Sequence, residues 1–263
     1  MKNTTEKLSI LRVTKQSKSS IEDIVVKESA LTIIVNNKEV TTLLCSPTKL
    51  KYLAMGFLCS HGLIKSKREV KEIKLRQRKR LIQAEITKAI NAPANLALAP
   101  IKGRGSASIN AQKISMKPEI TITAGQVLSL MEDFVSHSRV FKATGGVHSA
   151  ALCNADNILI FSEDIGRHNA IDKILGECLL KDIPTDGHLI ITSGRVSSEI
   201  VLKVAKKNIP VLISKAAPTD LGVSLADNSG VTLIGFAREK RMNIYTHAWR
   251  VVSDGEVVKL GRS

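Results

Sequence analysis

The stretch LIITSGRVSSEIVLKVAKKNIPVLIS, residues 189–214, decides the fold class. It begins with an apolar run that ends at Thr192, continues through a glycine turn into a segment with apolar residues at helical spacing, and closes with a second apolar run ending at Ser214. This order predicts a β-α-β unit, in which the two strands are parallel and the crossover is right-handed. The sequence therefore predicts an α/β sheet with at least one parallel strand pair.

The same alternation extends outward on both sides of this unit. ITAGQVLSLMEDFVSHS (residues 122–138) has the pattern of a helix, ALCNADNILIFSED (151–164) is rich in β-forming residues, and NAIDKILGECLLK (169–181) is again helical. Strands that alternate with helices are typical of a sheet covered by helices on both faces. We therefore expect residues 116–263 to form a three-layer α/β domain.

The first half of the chain has a different pattern. Residues 1–20 are polar and are expected to form a flexible terminus, while residues 21–115 are expected to form a smaller α+β portion. In that portion ALTIIVNNKEVTTLLCS predicts a hairpin that turns at Asn36 and Asn37, LKYLAMGFLCSHGLI predicts a helix capped near Gly62, and EIKLRQRKRLIQAEI predicts further strands. A long loop rich in Gly, Ala, Pro and Ser is expected to close this portion.

The amino-acid composition limits the classes of partner that this chain is expected to bind. With 43% apolar residues in 263, the chain can bury a sizeable core, and its formal charge of +15 attracts a nucleic acid, an acidic protein face or a phosphorylated cofactor. Only 3% of residues are aromatic, which disfavours a nucleic acid and favours a small phosphate-bearing ligand. No apolar run reaches the length of a membrane span and no signal-peptide core precedes the first domain, so we expect a cytoplasmic protein with no membrane partner.

The four cysteines, Cys45, Cys59, Cys153 and Cys178, are far apart in the sequence. None forms a C-x-x-C pair, so the spacing predicts neither a zinc site nor a local redox pair. Each is adjacent to a leucine, which favours buried thiols that pack as small apolar groups. The sequence predicts no metal site.

Candidate ligand-binding residues follow the expected strands. In open α/β sheets ligands bind beyond the carboxyl ends of the strands. In TGGVH, Gly145 and Gly146 can expose backbone N–H groups to an anion and His148 can exchange a proton. In SEDIGRHN, Arg167 and His168 lie beside two carboxylates, a density of charge that favours a ligand or partner site.

Two later segments repeat this arrangement. TSGRVSSE places Ser193 in a turn before a helix and supplies Arg195, whose guanidinium suits bidentate contact with phosphate. GFAREKR combines the stacking face of Phe236 with three cations. Neither segment is a Walker A or a G-x-G-x-x-G motif, so ATP hydrolysis and Rossmann-type dinucleotide binding receive little support.

Each segment also has a structural interpretation. The glycine turn and His148 can be satisfied within the fold, Asp164 can cap a helix, and Arg167 can pair with a carboxylate. The serines of TSGRVSSE can act as N-caps, and the end of GFAREKR can be a solvated turn. The possible N-caps are Ser193, Ser197 and Ser198, and the residues of the possible solvated turn are Lys240 and Arg241.

The combination of motifs resembles the FdhD family. TGGVHSAAL, SEDIGRHNAIDK, SGRVSSEIVLK, KAAPTDLGVSLA and GFAREKRMNIYTH are similar to successive motifs of that family, and ALTIIVNN, LLCSPTKL and LAMGFLCSHGLI are similar to its first portion. The resemblance implies a cytosolic homodimer whose larger domain has a cytidine-deaminase-like three-layer fold without the deaminase zinc site. It also implies formate dehydrogenase and a cysteine desulfurase as partners.

The family's cargo is the molybdenum bis(molybdopterin guanine dinucleotide) cofactor, to which its members pass sulfur from the desulfurase before insertion into formate dehydrogenase. The resemblance associates the segment Phe236–Arg241 with the guanine dinucleotide end, for which GDP is a convenient surrogate ligand. Together with the residues identified above, the candidate cofactor-binding set is Gly145, Gly146, His148, Arg167, His168, Ser193, Arg195, Phe236, Ala237, Arg238, Glu239, Lys240 and Arg241.

The sulfur relay of the family requires a thiolate in an accessible loop, since a persulfide forms only on sulfur. The loop expected near residues 100–110 reads IKGRGSAS. It has no cysteine around Arg104 and Ser106, where the family's persulfide cysteine is expected. Cys153, beside the TGGVH segment, is the nearest substitute in sequence, but its apolar neighbours favour a buried thiol. Three classes of function follow: a sulfur carrier, a cofactor-binding chaperone that does not touch the sulfur, and a diverged regulator that keeps only the fold.

Overall fold

The computed structural model describes residues 4–88 and 120–253, so the long loop expected between them, with Arg104 and Ser106, lies outside the described residues. The described strands are β1 (Thr5–Val13), β2 (Lys18–Val26), β3 (Ser29–Val35), β4 (Lys38–Cys45), β5 (Val70–Arg76), β6 (Leu81–Ile86), β7 (Ile122–Thr123), β8 (His148–Cys153), β9 (Ile158–Asp164), β10 (Leu189–Thr192), β11 (Val211–Ser214), β12 (Thr232–Arg238), β13 (Arg241–Ile244) and β14 (Val251–Val252). The described helices are α1 (Leu50–Ser60), α2 (Ala124–His137), α3 (Arg139–Thr144), α4 (Arg167–Lys181), α5 (Ser198–Ala205) and α6 (Asp220–Asn228). None of these helices is both long and apolar enough to cross a membrane.

The chain divides into two compact units that are interleaved along the sequence. Among the described residues, unit 1 contains 4–88, 138–149 and 162–182, and unit 2 contains the remainder. The division differs from the predicted boundary near residue 115, because the segment carrying α4 belongs to unit 1. The physical reason is that α4 packs along α1, a partner that lies far earlier in the chain.

Unit 1 is built on a four-stranded sheet in the order β4-β3-β6-β5. The hairpin predicted at Asn36 and Asn37 is confirmed: these residues join β3 to β4 with positive φ angles of 47° and 63°. Alternate residues of the strands, among them Leu31 and Ile33, are fully buried and form one core cluster with the apolar side of α1. The helix predicted over residues 50–64 is also confirmed, ending at Ser60 with Gly62 at a φ of 75°.

Helices α1 and α4 of unit 1 cross at a pair of glycines. A Cβ atom added to Gly56 would overlap the carbonyl oxygen of Asp172, and one added to Gly176 would overlap that of Tyr52. Their backbones are therefore in direct contact, an approach that only glycine permits at both positions. Close to this crossing the buried Ser60 hydroxyl donates a 2.6 Å hydrogen bond to the carboxylate of Asp172.

The N-terminal residues form an antiparallel ribbon rather than a frayed terminus. β1 and β2 pair over nine residues each, from Thr5 opposite Val26 to Val13 opposite Lys18. Most side chains of the ribbon are exposed on both faces, so no alternation of apolar and polar residues marks it in the sequence. This explains why the prediction for residues 1–20 differs from the structure.

Unit 2 contains a six-stranded sheet in the order β13-β12-β11-β10-β8-β9. The β-α-β unit predicted over residues 189–214 is confirmed, because β10 and β11 are parallel and α5 connects them. β12 extends the parallel part, and β8 and β13 pair antiparallel on either side of it. Side chains on one face, including Ile191 and Ile213, pack with α2, and their neighbours Ile190 and Leu212 on the other face are also fully buried. The predicted α/β fold class is confirmed.

Candidate functional site

A buried ion pair organises the polar part of unit 1. The carboxylate of Asp164, at the end of β9, lies 2.6 Å from the ammonium group of Lys173 on α4, and both side chains are fully buried. Lys173 also donates to the carbonyl oxygens of Glu163 and Ser46, at 3.1 Å and 3.4 Å. Charges removed from water in this way persist only when their hydrogen bonding is nearly complete.

The remaining acceptor capacity of Asp164 is used by backbone and amide groups. Oδ2 accepts from the N–H of Ser46, and Oδ1 accepts from the N–H of Gly166 and from the amide of Asn169. The Ser46 hydroxyl in turn accepts from the N–H of Ile165. Asp164 thus joins the end of β4 to the start of α4, but no side chain caps this helix, so the interpretation of Asp164 as a helix cap is wrong.

Arg167 and His168 begin α4 and are both half-buried. Gly166 occupies the N-cap position and brings no side chain to cap the helix. The Nε of Arg167 is buried and has no hydrogen-bond partner within residues 4–88 and 120–253. Since an unpaired buried donor costs about 1–3 kcal/mol, Arg167 is the residue of this motif best suited to receive an acceptor from outside the chain.

Gly145 and Gly146 connect α3 to β8, where His148 is the first residue. Gly145 has a φ of 64° and its N–H donates to the carbonyl of Phe141, so it ends α3 in the left-handed conformation that glycine prefers. The carboxylate of Glu163 accepts from two backbone N–H groups in the first turn of α3. Glu163 therefore holds the helix that carries the glycine turn, a role that sequence reasoning did not identify.

In unit 2 the carboxyl ends of the parallel strands β10, β11 and β12 share one edge of the sheet. The loops that follow are tied together: Val196 N–H donates to the Ala217 carbonyl, Thr219 N–H donates to the Val196 carbonyl, and Phe236 N–H donates to the Ala216 carbonyl. This is the edge at which ligands bind in open α/β sheets. The structure therefore brings Ser193, Arg195 and the 236–241 segment to a common edge.

Ser197 is the notable residue of the first loop. It occupies the N-cap position of α5, yet its side chain makes no capping hydrogen bond. Its hydroxyl oxygen is buried without a partner among the described residues, whereas the equivalent Thr219 before α6 accepts from the N–H of Gly222 at 3.1 Å. Arg195 is exposed just before this helix start. Capping therefore does not account for Ser197, whose hydroxyl stays unpaired among the described residues at the start of α5, the end of a helix that attracts anions.

The segment from Phe236 to Arg241 forms the β12–β13 hairpin. Glu239 and Lys240 form the turn between paired Arg238 and Arg241, and all four are exposed. The guanidinium of Arg238 lies 5.9 Å from the centre of the Phe236 ring. The side chain of Ala237 is fully buried in the core of unit 2, so it supports this hairpin without facing a ligand.

Tyr245 is a neighbour of this hairpin that the sequence did not single out. A Cβ atom on Gly235 would lie 2.9 Å from the Tyr245 ring and 3.0 Å from the Pro218 ring. The absence of a side chain at Gly235 thus allows an aromatic and a proline ring to meet beside Phe236, which itself has a φ of 51°. Phe236 and Tyr245 therefore both place aromatic rings at this edge of the unit 2 sheet.

All four cysteines are buried, as the sequence predicts. Burial, and then the carboxylate of Asp164, raise the pKa of the Cys45 thiol to about 12 although Lys173 and Arg80 oppose the shift. Burial, and then Asp133, raise the pKa of the Cys153 thiol to about 12. Of the candidate cofactor-binding residues, those between positions 145 and 168 belong to unit 1 and those between positions 193 and 241 belong to unit 2. None of these candidates is a cysteine.

Comparison with known proteins places these motifs in one family. The FdhD/NarQ family model matches residues 26–252. The sulfur carrier protein FdhD of Bacillus licheniformis is 38% identical over 265 residues, covering 95% of this chain and 98% of the relative. The protein of the same name from Staphylococcus haemolyticus is 40% identical over 254 residues, covering 92% of this chain and 95% of the relative.

A solved structure has the same fold. The crystal structure of a proposed formate dehydrogenase accessory protein from Desulfotalea psychrophila matches with a TM-score of 0.79, over 95% of this chain and 100% of that chain. The sequences are 24% identical, so this likeness supports the fold and not a shared activity.

Replacing Lys173 by methionine should destabilise the protein by about 3–5 kcal/mol, because Asp164 would remain as a buried charge without its counter-ion. Urea unfolding measures the effect. The matched control is Lys67→Met, which removes the lysine of an exposed pair with Asp182 at the same 2.6 Å distance and should change stability little. Equal losses in the two variants would contradict the organising role of the buried pair.

Proposed function

This chain belongs to the FdhD/NarQ family, and we propose that it is a cytoplasmic accessory protein for formate dehydrogenase that binds the molybdenum guanine dinucleotide cofactor without relaying sulfur through a thiol of its own. In this proposal the cofactor is the cargo. The observation that carries it is the combination of an anion-receptive strand edge in unit 2 with four buried cysteines.

The strand edge of unit 2 suits the phosphates of a guanine dinucleotide. The N-terminus of α5 presents backbone N–H groups, the Ser197 hydroxyl is without a partner among the described residues, and Arg195 is exposed beside it. Arg238 adds a second guanidinium from the next hairpin. These groups would hold phosphate oxygens by charge-assisted hydrogen bonds, and the rings of Phe236 and Tyr245 would contact the base.

The thiols do not suit a sulfur relay. A relay sulfur must be exposed and must be a thiolate for part of the time. The most accessible of the four cysteines is only 6% exposed, and burial raises the pKa of the Cys45 and Cys153 thiols, which disfavours their thiolate forms. Residues 101–108 contain no cysteine. The chaperone class therefore fits these residues better than the carrier class.

We also propose that two copies of the chain associate through the ribbon of β1 and β2. β1 pairs only with β2 among the described strands, and Leu8, Leu11 and Val13 are 44%, 56% and 67% exposed. If β1 pairs antiparallel with its copy about Ser9, Leu8 lies opposite Ile10, and the acidic Glu6 lies opposite the basic Arg12 of the other copy. A two-stranded ribbon is marginally stable alone, so a partner strand would stabilise it.

GDP should bind the wild-type protein, and Arg238→Ala should bind it about tenfold more weakly because one charge-assisted hydrogen bond to phosphate is lost. Isothermal titration calorimetry at low and high salt measures both affinities, which should fall as salt rises. Arg68→Ala removes an exposed arginine of unit 1 and is the matched control. Equal GDP affinity in wild type and Arg238→Ala would remove the 236–241 segment from the site, and absence of GDP binding would contradict the proposal.

Incubation with a cysteine desulfurase and cysteine should leave the folded chain without transferable persulfide, because its four thiols are buried. Mass spectrometry of alkylated peptides assigns any sulfane sulfur to a residue. The control is the same alkylation in urea, where all four cysteines should react. Stoichiometric persulfide on Cys153 that can be passed on would restore the sulfur-carrier class.

Light scattering at micromolar concentration should give twice the chain mass of 28.6 kDa. Leu8→Glu should shift the equilibrium toward the monomer, because it places a charge opposite the apolar Ile10 of the other copy in the proposed register. Leu221→Glu, at a leucine of α6 that is 57% exposed, is the control and should leave the mass unchanged. A wild-type mass of 28.6 kDa would exclude the dimer, and equal behaviour of the two variants would exclude the ribbon as its interface.

A further inference from the structure

The four-stranded sheet of unit 1 has one face that α1 does not cover. Residues on the covered face belong to the core, whereas Leu44, on the opposite face of β4, is 60% exposed. Thr42 on the same face is exposed, and its hydroxyl forms a 3.0 Å hydrogen bond with that of Thr32 on β3. We call this surface the open face.

A groove of about 420 Å³ runs along the open face beside β5. Ile34 contributes apolar surface to it, whereas Ala84 and Ile86 point into the core and leave only their backbone at the groove. Lys71, Lys74 and Arg76 are among its charged residues. β5 is the last strand of the sheet order, so its outer backbone groups are not paired within the described sheet. The groove is therefore lined mainly by charged and polar side chains, and it adjoins a strand edge.

The acidic residues of the groove are already neutralised. Lys74 lies 2.7 Å from Glu72, and Lys71 lies 3.6 Å from Glu85. Arg76 donates to the uncharged side chain of Gln83 at 3.1 Å. The positive charge of Arg76 is therefore not balanced by a carboxylate among the described residues.

The turn after β5 adds three more cations, Arg78, Lys79 and Arg80, all of them exposed. None of the three forms an ion pair within residues 4–88 and 120–253. With Arg76 they place four unbalanced positive charges at one end of the groove. Such a concentration of one sign attracts a partner of the opposite charge and steers its approach.

We infer that the groove and the adjoining turn bind an extended acidic segment of a partner protein. The segment's carboxylates would pair with Arg76, Arg78 and Lys79, and its backbone would lie along the open edge of β5. A single-stranded nucleic acid is the less suitable ligand, because bases require aromatic stacking surfaces and residues 70–88 contain no aromatic side chain. This surface lies in unit 1 and involves none of the residues assigned to the cofactor.

The test uses a fluorescein-labelled peptide of five glutamate-threonine repeats, with fluorescence anisotropy at low ionic strength. Arg78→Glu/Lys79→Glu should bind the peptide at least tenfold more weakly than the full-length wild type. Lys15→Glu/Lys18→Glu makes the same change in net charge at the exposed tip of the β1–β2 ribbon and should bind within twofold of wild type. A lysine-threonine peptide should not bind, and thermal unfolding of both variants checks that they remain folded.

Equal losses in the two double variants would overturn the inference, since they would show attraction by net charge alone. Tighter binding of a ten-residue oligothymidine, lost in Arg78→Glu/Lys79→Glu, would assign the surface to nucleic acid instead. Absence of measurable peptide binding by the wild type would also overturn the inference. The cations would then serve only to protect a strand edge from aggregation.

Discussion

The carboxylate of Asp164 and the ammonium group of Lys173 are 2.6 Å apart in the interior of unit 1, and neither side chain reaches water. Burying two charges costs several kcal/mol for each ion unless the surrounding groups replace the lost water. The backbone of Ser46, Glu163 and Gly166 supplies those groups, which fixes the end of β4, the end of β9 and the start of α4 in one arrangement. The geometry of the SEDIGRHN motif is a consequence of this requirement.

The polar residues of the motifs differ in whether their hydrogen-bonding groups have partners within the described residues. The carboxylates of Asp164 and Glu163 have their partners within the chain. Asp164 pairs with Lys173, and Glu163 accepts hydrogen bonds from the first turn of α3. In contrast, Arg167 and Ser197 keep buried polar atoms without partners among the described residues. Ser29, Ser162 and Arg250 also have buried polar atoms without partners there, so an unpaired atom alone does not mark a ligand site. Arg167 and Ser197 differ from them because each lies at the start of a helix, where anions are favoured.

Local signals explain what the sequence could predict. The turn at Asn36 and Asn37 and the β-α-β pattern of residues 189–214 depend on neighbours in the chain, and both were predicted correctly. Two features depend on residues that are not neighbours in the chain and were not predicted: the pairing of α4 with α1 and the contact of Tyr245 with Gly235. The exposed ribbon of β1 and β2 was also missed, because strands without a buried face lack the alternation by which strands are recognised.

The groups proposed for nucleotide binding are different from the thiol that a sulfur relay would need. The groups suited to a guanine dinucleotide are backbone N–H groups, hydroxyls, guanidinium groups and rings, and none of them depends on a sulfur atom or on its ionisation. The stability of the fold likewise comes from a buried ion pair and from close helix packing, and the cysteines contribute to it as small buried groups. A chain of this fold can therefore lack a relay cysteine without disturbing its core or the strand edge of unit 2. In the proposed function, binding of the cofactor would use groups that sulfur transfer does not need, and the two would be physically separable.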